Sequence, residues 1–309
     1  MTRLVADIGG TNTRLALVDD TGALHAQMRL ANDDFDGIKA VLQHFTAHHP
    51  ARINAACLAI AGPVAGTRAQ LTNRGWSFDR ASLSEQLGGA KLRFVNDLAA
   101  LGYALPSLNA AQVQAFGARC DTDALNDQAL VVGVGTGFNI CLVKGDPVAP
   151  AVIEAELGHA SLPACVADAL GDIIGARTRA FPTIEDLFSG RGLTRLDAMV
   201  TGEQGRDGAD MLRAYGEGAP VAAVDHVAQL LGLMARQLVF AYRPARGIFF
   251  AGSVARGVLG SQAQSAFLRA FATPGAFADL IAATPLNVIT DDAAALTGAA
   301  RVVAAMMKA

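Results

Sequence analysis

Short apolar runs that end in glycine-rich or polar turns recur along the chain and alternate with longer amphipathic stretches. The runs predict strands near 3–8, 13–18, 24–30, 54–61, 91–95, 129–134, 137–144 and 247–251. The amphipathic stretches predict helices near 35–48, 82–88, from about 97, at 220–243 and at 293–307. The segments 105–128 and 144–164 are predicted as long loops. Strands that alternate with helices imply an α/β fold with covered sheets.

Two predicted hairpins share a Gly-Thr turn between apolar strands. Residues 5–14 read Val-Ala-Asp-Ile-Gly-Gly-Thr-Asn-Thr-Arg, and residues 130–143 read Leu-Val-Val-Gly-Val-Gly-Thr-Gly-Phe-Asn-Ile-Cys-Leu-Val. Glycines let backbone N–H groups come close to a phosphate and tolerate positive φ. A single such turn is typical of many β-hairpins. Two copies, each opening about half of the chain, predict a duplicated fold with two phosphate loops that face one another.

The first of these turns carries groups that a plain turn does not need. Thr11 offers a hydroxyl, Arg14 a fixed guanidinium fork, and Asp7 a carboxylate for a Mg²⁺ that travels with phosphates. No Gly-x-x-x-x-Gly-Lys-Ser/Thr motif is present, which excludes a P-loop enzyme. Glycines in the second turn precede strand-like residues rather than a helix, which excludes a Rossmann dinucleotide site.

Polar residues elsewhere supply further candidates. Asn96 and Asp97 stand where a predicted strand meets a helix, so they either cap the helix or, beside phosphate loops, provide a catalytic Asp97. Glu156 and His159 are separated by a leucine and a glycine and can converge on sugar hydroxyls or on a metal. With no third ligand nearby, the metal is the weaker option, and a polar surface turn is the alternative to both.

Two other polar positions are weaker candidates when taken alone. Glu185 precedes a Gly-rich turn, and Asn73 is a candidate for supporting a substrate or Asp97. The nearby Trp76 is more typical of a core residue than of a ring that stacks on a ligand.

Composition narrows the possible partners. The 309 residues are 52% hydrophobic and 17% charged, with a net charge of −3 and no basic patch, which argues against nucleic acid. No uncharged apolar run reaches the ~18 residues of a spanning helix, and the predicted first strand leaves no signal peptide, so we expect a soluble cytoplasmic protein without a membrane partner. The cysteines are scattered and indicate neither zinc nor disulfides; they are Cys57, Cys120, Cys141 and Cys165.

Taken together and in order, these motifs resemble the bacterial glucokinase family, a hexokinase-like branch of the actin/sugar-kinase/Hsp70 fold group. The matching segments are Asp7–Arg14, Ile60–Pro63, Leu71–Trp76, Val95–Asp97, Gly133–Gly137, Glu156–His159, Glu185–Leu193 and Phe250–Ser253. The series covers most of the chain and is specific, although each piece alone is not. No cysteine-rich zinc motif follows His159, unlike in the zinc-carrying repressor/kinase relatives.

The resemblance implies a two-lobed, actin-like ATPase fold of duplicated ribonuclease-H-like units, with sugar and ATP in the central cleft. The implied domains are a small α/β domain, 1–105 plus 294–309, and a large α/β domain, 106–293. It also implies ATP-dependent phosphorylation of glucose at the 6-hydroxyl, with Asp97 as general base, and makes a homodimer plausible.

Residue roles follow from the resemblance position by position. The implied sugar-binding residues are Asn73, Asn96, Asp97, Glu156, His159 and Glu185. The implied ATP-binding residues are Asp7, Gly9, Gly10, Thr11, Asn12, Arg14, Gly135, Thr136, Gly137 and Gly252. Asp7 is also the implied residue for Mg²⁺, which it would serve through water.

Two departures from the family pattern leave alternatives open. Leu157 replaces a glycine of the usual Gly-Glu-Gly-Gly-His segment, and a need for positive φ there would strain or reshape the turn. Phe138 and Asn139 stand where small residues are usual. A kinase for another hexose or amino sugar therefore remains open, as do a non-catalytic sugar sensor, an ATPase acting on a non-sugar acid, and polyphosphate as phosphoryl donor. A sensor would not need Asp97, and the carboxylates would repel an anionic substrate.

Overall fold

Strands and helices alternate through the computed structural model, which describes residues 2–117 and 126–307. The strands are β1 (Thr2–Ile8), β2 (Asn12–Val18), β3 (Leu24–Ala31), β4 (Ile53–Ile60), β5 (Val64–Ala65), β6 (Arg68–Gln70), β7 (Ser77–Asp79), β8 (Lys91–Asn96), β9 (Val113–Ala115), β10 (Ala129–Val134), β11 (Phe138–Lys144), β12 (Ala151–Glu154), β13 (Ile248–Ala251) and β14 (Leu286–Ile289).

The α-helices of these residues are α1 (Ile38–His48), α2 (Arg80–Gln86), α3 (Asp97–Ala104), α4 (Ala164–Ile174), α5 (Ile184–Leu187), α6 (Gly190–Thr201), α7 (Gly208–Gly216), α8 (Ala222–Tyr242), α9 (Ser253–Leu259), α10 (Gln264–Phe271), α11 (Ala278–Ala283) and α12 (Ala294–Met306). Short 3₁₀ turns lie at Asn32–Asp34, Leu105–Ser107, Leu157–His159 and Gly175–Ala180. None of these helices is long and apolar enough to cross a membrane.

Most predicted elements are found within about three residues of their expected bounds, and the exceptions are short. The predicted loops 105–128 and 144–164 are wrong where β9 and β12 occupy them, and β14 was not predicted. β9 has three residues and the others four, too few to show a clear two-residue alternation. The helix expected from 35 begins only at Ile38, after a 3₁₀ turn and an extended Gly37 with φ 167°.

The chain divides into two compact units, Met1–Asn109 with Asp291–Ala309, and Ala110–Thr290. The first contains a sheet in the order β3-β2-β1-β4-β8, and the second a sheet in the order β12-β11-β10-β13-β14-β9. In each, three antiparallel strands continue into two parallel ones, β4 and β8 in the first and β13 and β14 in the second. This repeated order confirms the predicted duplication, whereas the predicted borders at 105/106 and 293/294 stay a prediction.

The centre of the first unit's sheet is covered on both faces, which explains why β4 is apolar from Ala55 to Ile60. In β4, Ala56, Leu58 and Ile60 face a core that includes Phe45 of α1. The alternate residues of β4, Ala55, Cys57 and Ala59, face a second core that includes Leu296 of α12. Of the cysteines, Cys57 and Cys141 are buried as predicted, Cys165 is exposed, and Cys120 lies outside the described residues.

Helices α3 and α12 pack against each other through Gly298. A Cβ atom at this position would lie under 3.0 Å from the carbonyl carbon and oxygen of Ala100 in α3, closer than real Cβ contacts come. Because both atoms are backbone, rotation of a side chain cannot relieve the clash. Close contact between these helices therefore depends on the missing side chain, and α3 begins with the candidate residue Asp97.

We expect Gly298→Ala to destabilise the first unit by about 1–3 kcal/mol, because overpacking a tight helix contact forces the backbone apart. Gly216→Ala is the matched control. Gly216 is also helical and has open space at its Cβ position, so alanine there is expected to stabilise by roughly 0.5–1 kcal/mol. Urea unfolding of both variants measures the difference, and equal stability of the two would contradict this packing.

Candidate active site

Hydrogen bonds from the fully buried side chain of Asn32 hold the Gly-Gly-Thr loop between β1 and β2. The sequence does not predict this role. The Asn32 amide donates to the carbonyl oxygens of Gly9 at 2.8 Å and Gly10 at 3.3 Å. The Thr13 hydroxyl donates to Asn32 Oδ1 at 2.7 Å, which fixes the amide orientation. The Gly9 N–H closes the turn on the carbonyl of Asn12 at 3.0 Å, and Thr11 is exposed at its tip. The loop is therefore preformed.

Arg74 holds the same loop from its other side. Its Nε donates to the carbonyl of Gly10 at 3.2 Å, and its Nη1 donates to the carbonyl of Asn32 at 2.9 Å. It also pairs with Asp33, and its guanidinium lies 5.3 Å from the ring centroid of Trp76, which is buried as predicted. The preceding residue, Asn73, thereby lies beside Gly10: its Cβ is 3.7 Å from the point where a Gly10 Cβ would stand.

Asp7 faces Arg14 across the β1–β2 ladder. Arg14 donates to Asp7 at 3.3 Å and also pairs with Asp292, just before α12, at 3.4 Å. The Asp7 side chain is 14% exposed. Burial raises the pKa of Asp7 from 3.8 to about 6, although Arg14 lowers it and Asp292 raises it slightly further. Because this carboxylate is partly desolvated, a nearby cation would stabilise its ionised form.

Asn96 and Asp97 lie at the end of β8, at the same sheet edge as the Gly-Gly-Thr loop. Ile8, Ile60 and Asn96 are register partners at the carboxyl ends of three parallel strands. Polar groups at such ends are where α/β proteins place their chemistry. The loop residues and the Asn-Asp pair therefore share one edge of the first unit.

The capping role expected for the Asn-Asp pair belongs mainly to Asn96. Its Oδ1 accepts the N–H groups of Leu98 at 2.9 Å and Ala99 at 3.3 Å, while its Nδ2 donates to the carbonyl of Gly62 at 3.3 Å. Asp97 opens α3, is half-buried, and accepts the Leu98 N–H through Oδ1 at 2.9 Å. With the helix capped by its neighbour, the Asp97 carboxylate is not required as the cap.

The second hairpin brings Gly252 to its turn. The Gly135 N–H donates to the carbonyl of Gly137 at 2.9 Å, which closes the turn with Thr136 exposed at its tip. Gly252 follows β13, the parallel neighbour of β10, and has φ +98°. A Cβ there would clash with the carbonyl oxygen of Val134, so only glycine fits. This is the second unit's counterpart of the first loop.

Glu185 is held directly against the start of β11. Its Oε2 accepts the N–H of Phe138 at 3.1 Å, and Arg191 donates to its Oε1 at 3.0 Å. A Cβ at Gly137 would displace the Glu185 carboxylate, so the glycine leaves room for the carboxylate at this position. The capping box of Thr183 and Asp186 at the start of α5 fixes the backbone around Glu185.

The Glu156–His159 segment lies against the same strand. Glu156 and His159 are both exposed, and the His159 N–H donates to the carbonyl of Glu156 at 3.3 Å. Gly158 is buried against the carbonyl of Phe138, where a Cβ would clash, and its nearest side-chain neighbour is Glu185. The structure therefore places Glu156, His159 and Glu185 around one end of β11.

Leu157 is not strained. It begins a 3₁₀ turn and does not have positive φ. In the described residues, the non-glycine positions with positive φ are Ala26, Arg243 and Phe277. Its side chain is partly buried against the core of the second unit. The turn thus accommodates a leucine side chain without positive φ.

Three residues that support the β1–β2 hairpin are not predicted from the sequence: Asn32, Arg74 and Asp292. Each is a polar residue in a turn or just after a strand, which is typical of many surface positions. Their contacts join segments far apart in the sequence, so no local pattern indicates them.

Comparison with known proteins supplies what geometry alone does not. The family model described as Glucokinase matches residues 4–306. The chain therefore belongs to the Glucokinase family. A glucokinase of Erwinia tasmaniensis is 27% identical over 96% of this chain and 94% of its own length. The identification made from the ordered motifs is thereby confirmed.

Solved structures agree with this family assignment. A glucokinase from an Antarctic psychrotroph is 29% identical, covers 98% of both chains and has a TM-score of 0.80. A ROK family glucokinase from Streptomyces griseus, determined in complex with glucose and AMPPNP, is 20% identical, covers 98% of this chain and 99% of its own, and has a TM-score of 0.66. The predicted α/β, actin-like fold of this Glucokinase family member is confirmed.

Proposed function

We propose that the protein is an ATP-dependent glucokinase that transfers the γ-phosphoryl group of ATP to the 6-hydroxyl of glucose. The observation that carries the proposal is the position of Asp97. It lies at the same edge of the sheet as a preformed Gly-Gly-Thr loop, and Asn96 caps the helix in its place. Membership of the Glucokinase family supports the reaction class.

In this mechanism Asp97 accepts the proton of the sugar 6-hydroxyl as that oxygen attacks phosphorus. A positioned carboxylate does this when its geometry is fixed, and the Leu98 N–H bonded to Asp97 Oδ1 supplies that restraint. Phosphoryl transfer otherwise asks the protein to position reactants and spread charge.

We assign sugar-binding roles to polar residues in each unit. Glu156, His159 and Glu185, together with Asn96 and Asn73, would bind the remaining hydroxyls. Fixed, hydrogen-bonding groups reject a sugar that lacks a hydroxyl because the protein groups are then left unpaired. Glu185 is already restrained by the Phe138 N–H and Arg191, and Asn96 by the helix end.

Both hairpin turns carry proposed ATP-binding residues. Backbone groups of Gly9 to Asn12 and of Gly135 to Gly137 would contact phosphates, with Arg14 adding positive charge and Gly252 bordering the adenosine. In the described residues no cluster of three or more His, Cys, Asp or Glu side chains forms a closed metal site.

Mg²⁺ fits the site as an ion that arrives with ATP. The partly desolvated carboxylate of Asp7, with its raised pKa, matches the hard oxygen ligands that Mg²⁺ prefers, and Mg²⁺ usually retains several waters. Asp7 would serve it through water. When bound, the ion would neutralise charge on the transferring phosphoryl group.

The test is ADP release from Mg-ATP by the purified protein, with and without glucose, followed by mannose, fructose and glucosamine at the same ATP concentration. Glucose-dependent release that exceeds release with the other sugars is expected. If another sugar stimulates more ADP release, that sugar and not glucose is the substrate. Sugar binding without ADP release would favour a sensor. Polyphosphate in place of ATP tests the donor.

We also propose a cytoplasmic homodimer without nucleic-acid or membrane partners, which gel filtration with light scattering and cell fractionation would check.

A further inference from the structure

The side chain of Asn139 links β11 to the segment that carries Glu156. Its Nδ2 donates to Glu156 Oε2 at 3.0 Å, and its Oδ1 accepts the N–H of Leu157 at 3.1 Å. The same Oδ1 also accepts the N–H of Ile140 at 2.9 Å. Donor and acceptor ends of one amide are thus both used on adjacent residues of the other segment.

This arrangement fixes the carboxylate of Glu156, which is otherwise an exposed and flexible side chain. A glutamate side chain loses substantial rotamer freedom when a ligand orders it. A side chain that is already restrained therefore lowers the entropic cost of ligand binding. Asn139 is half-buried and lies on a paired strand opposite Gly133, so its backbone is rigid. The bond occupies one lone pair of Oε2 and leaves Oε1 for a ligand.

The Leu157 end of the link helps to hold this segment in its 3₁₀ turn. The Leu157 N–H is bonded to Asn139, and its side chain packs on the core of the second unit. The Glu156 carbonyl then closes the turn by accepting the His159 N–H. Displacing Asn139 therefore affects the direction of the whole Glu156–His159 segment.

We propose that Asn139 is a positioning residue for sugar binding, which sets the direction of the Glu156 carboxylate and thereby the affinity and selectivity for the hexose. The inference rests on the proposed function, because it assigns Glu156 to the sugar. Asn139 itself need not touch the sugar.

The first experiment compares Asn139→Ala with Asn287→Ala. Asn287 lies on β14 of the same sheet and bonds the carbonyl of Ile248, so it is a matched asparagine away from Glu156. We expect Asn139→Ala to weaken glucose binding in calorimetry about three- to tenfold, the effect of losing a net hydrogen bond, and to raise the KM for glucose similarly. The KM for ATP and the Tm should match those of the control.

The second experiment uses Asn139→Asp, which keeps the shape but places two carboxyl groups together. At pH 8 the two repel, whereas at pH 5.5 a shared proton restores a hydrogen-bond donor between them. The KM for glucose, relative to wild type, is therefore expected to fall as the pH falls. The charged or ionisable neighbours of this segment, His159, Glu185 and Arg191, are present in both proteins, so the KM ratio reports on the carboxyl pair.

A glucose affinity of Asn139→Ala within twofold of wild type, or a loss matched by an equal rise in the KM for ATP, would overturn the positioning role. A pH-independent KM ratio for Asn139→Asp would do the same. Wild-type protein that binds no hexose in the same calorimetry would instead overturn the proposed function, and the role of Asn139 with it.

Discussion

Asp97→Asn is expected to lower kcat about 10²–10⁴-fold while glucose affinity changes by only a few-fold. Asparagine has nearly the shape of aspartate and can still accept the Leu98 N–H at the start of α3. It cannot accept a proton from the 6-hydroxyl. Because Asn96 caps the helix, the fold does not depend on the charge at position 97. The measurement is steady-state ADP release beside calorimetric glucose binding.

The matched control for this variant is Asp79→Asn. Asp79 caps α2 in the same unit by accepting the Ser82 N–H at 2.9 Å, and asparagine caps helices about as well as aspartate. This control should keep wild-type kcat and stability. A kcat of Asp97→Asn within tenfold of wild type would remove Asp97 from the role of general base and return it to the helix terminus.

The sequence alone predicted the parts of the fold that depend on local pattern. Both Gly-Thr hairpins, the strand before Asp97 and the last helix were predicted from apolar stretches beside turn or polar residues, and all were found. Strands β9, β12 and β14 were missed because each is three or four residues long and is stabilised by its neighbours in the sheet.

In the candidate site too, residues within a local motif could be predicted from the sequence, whereas residues that act through distant contacts could not. Asp7 and Arg14 were identifiable because they flank a recognisable turn, and their pairing follows from the hairpin register. The roles of Asn32 and Asn139 were not identifiable, since each acts on a segment distant in sequence through a side-chain amide. At Leu157 the two alternatives of a strained or a reshaped turn followed from the sequence, and the structure shows no strain, because the residue lies in a 3₁₀ turn held by Asn139 and by core packing.

Asp7→Asn is expected to reduce phosphoryl transfer strongly and to change how stability depends on pH. Burial raises the pKa of Asp7 to about 6 in the folded protein, against 3.8 in the reference state. The folded state therefore binds this proton more tightly than the unfolded chain. The stability that protonated Asp7 contributes is fully present below pH 3.8 and is lost as the pH rises to about 6.

Asparagine does not ionise, so the variant lacks this loss. Relative to wild type, the unfolding free energy of Asp7→Asn should increase by about 3 kcal/mol between pH 3.8 and pH 7.5, at ~1.4 kcal/mol per pKa unit. At any single pH, the stability difference between the two proteins also includes the loss of the Asp7–Arg14 ion pair, after which Arg14 still pairs with Asp292. Only the change of the difference with pH isolates Asp7.

Denaturant unfolding of wild type and Asp7→Asn without nucleotide, at several pH values from 4 to 8, measures this change. Asp20→Asn is the control, because Asp20 is an exposed carboxylate paired with an arginine in the same unit. We expect ADP release by Asp7→Asn to fall at least tenfold at saturating glucose, since one acceptor toward the phosphate-bound ion is lost. A stability difference that stays constant with pH would show that Asp7 ionises as readily in the fold as in water. The desolvated carboxylate would then not be what draws a cation to this loop.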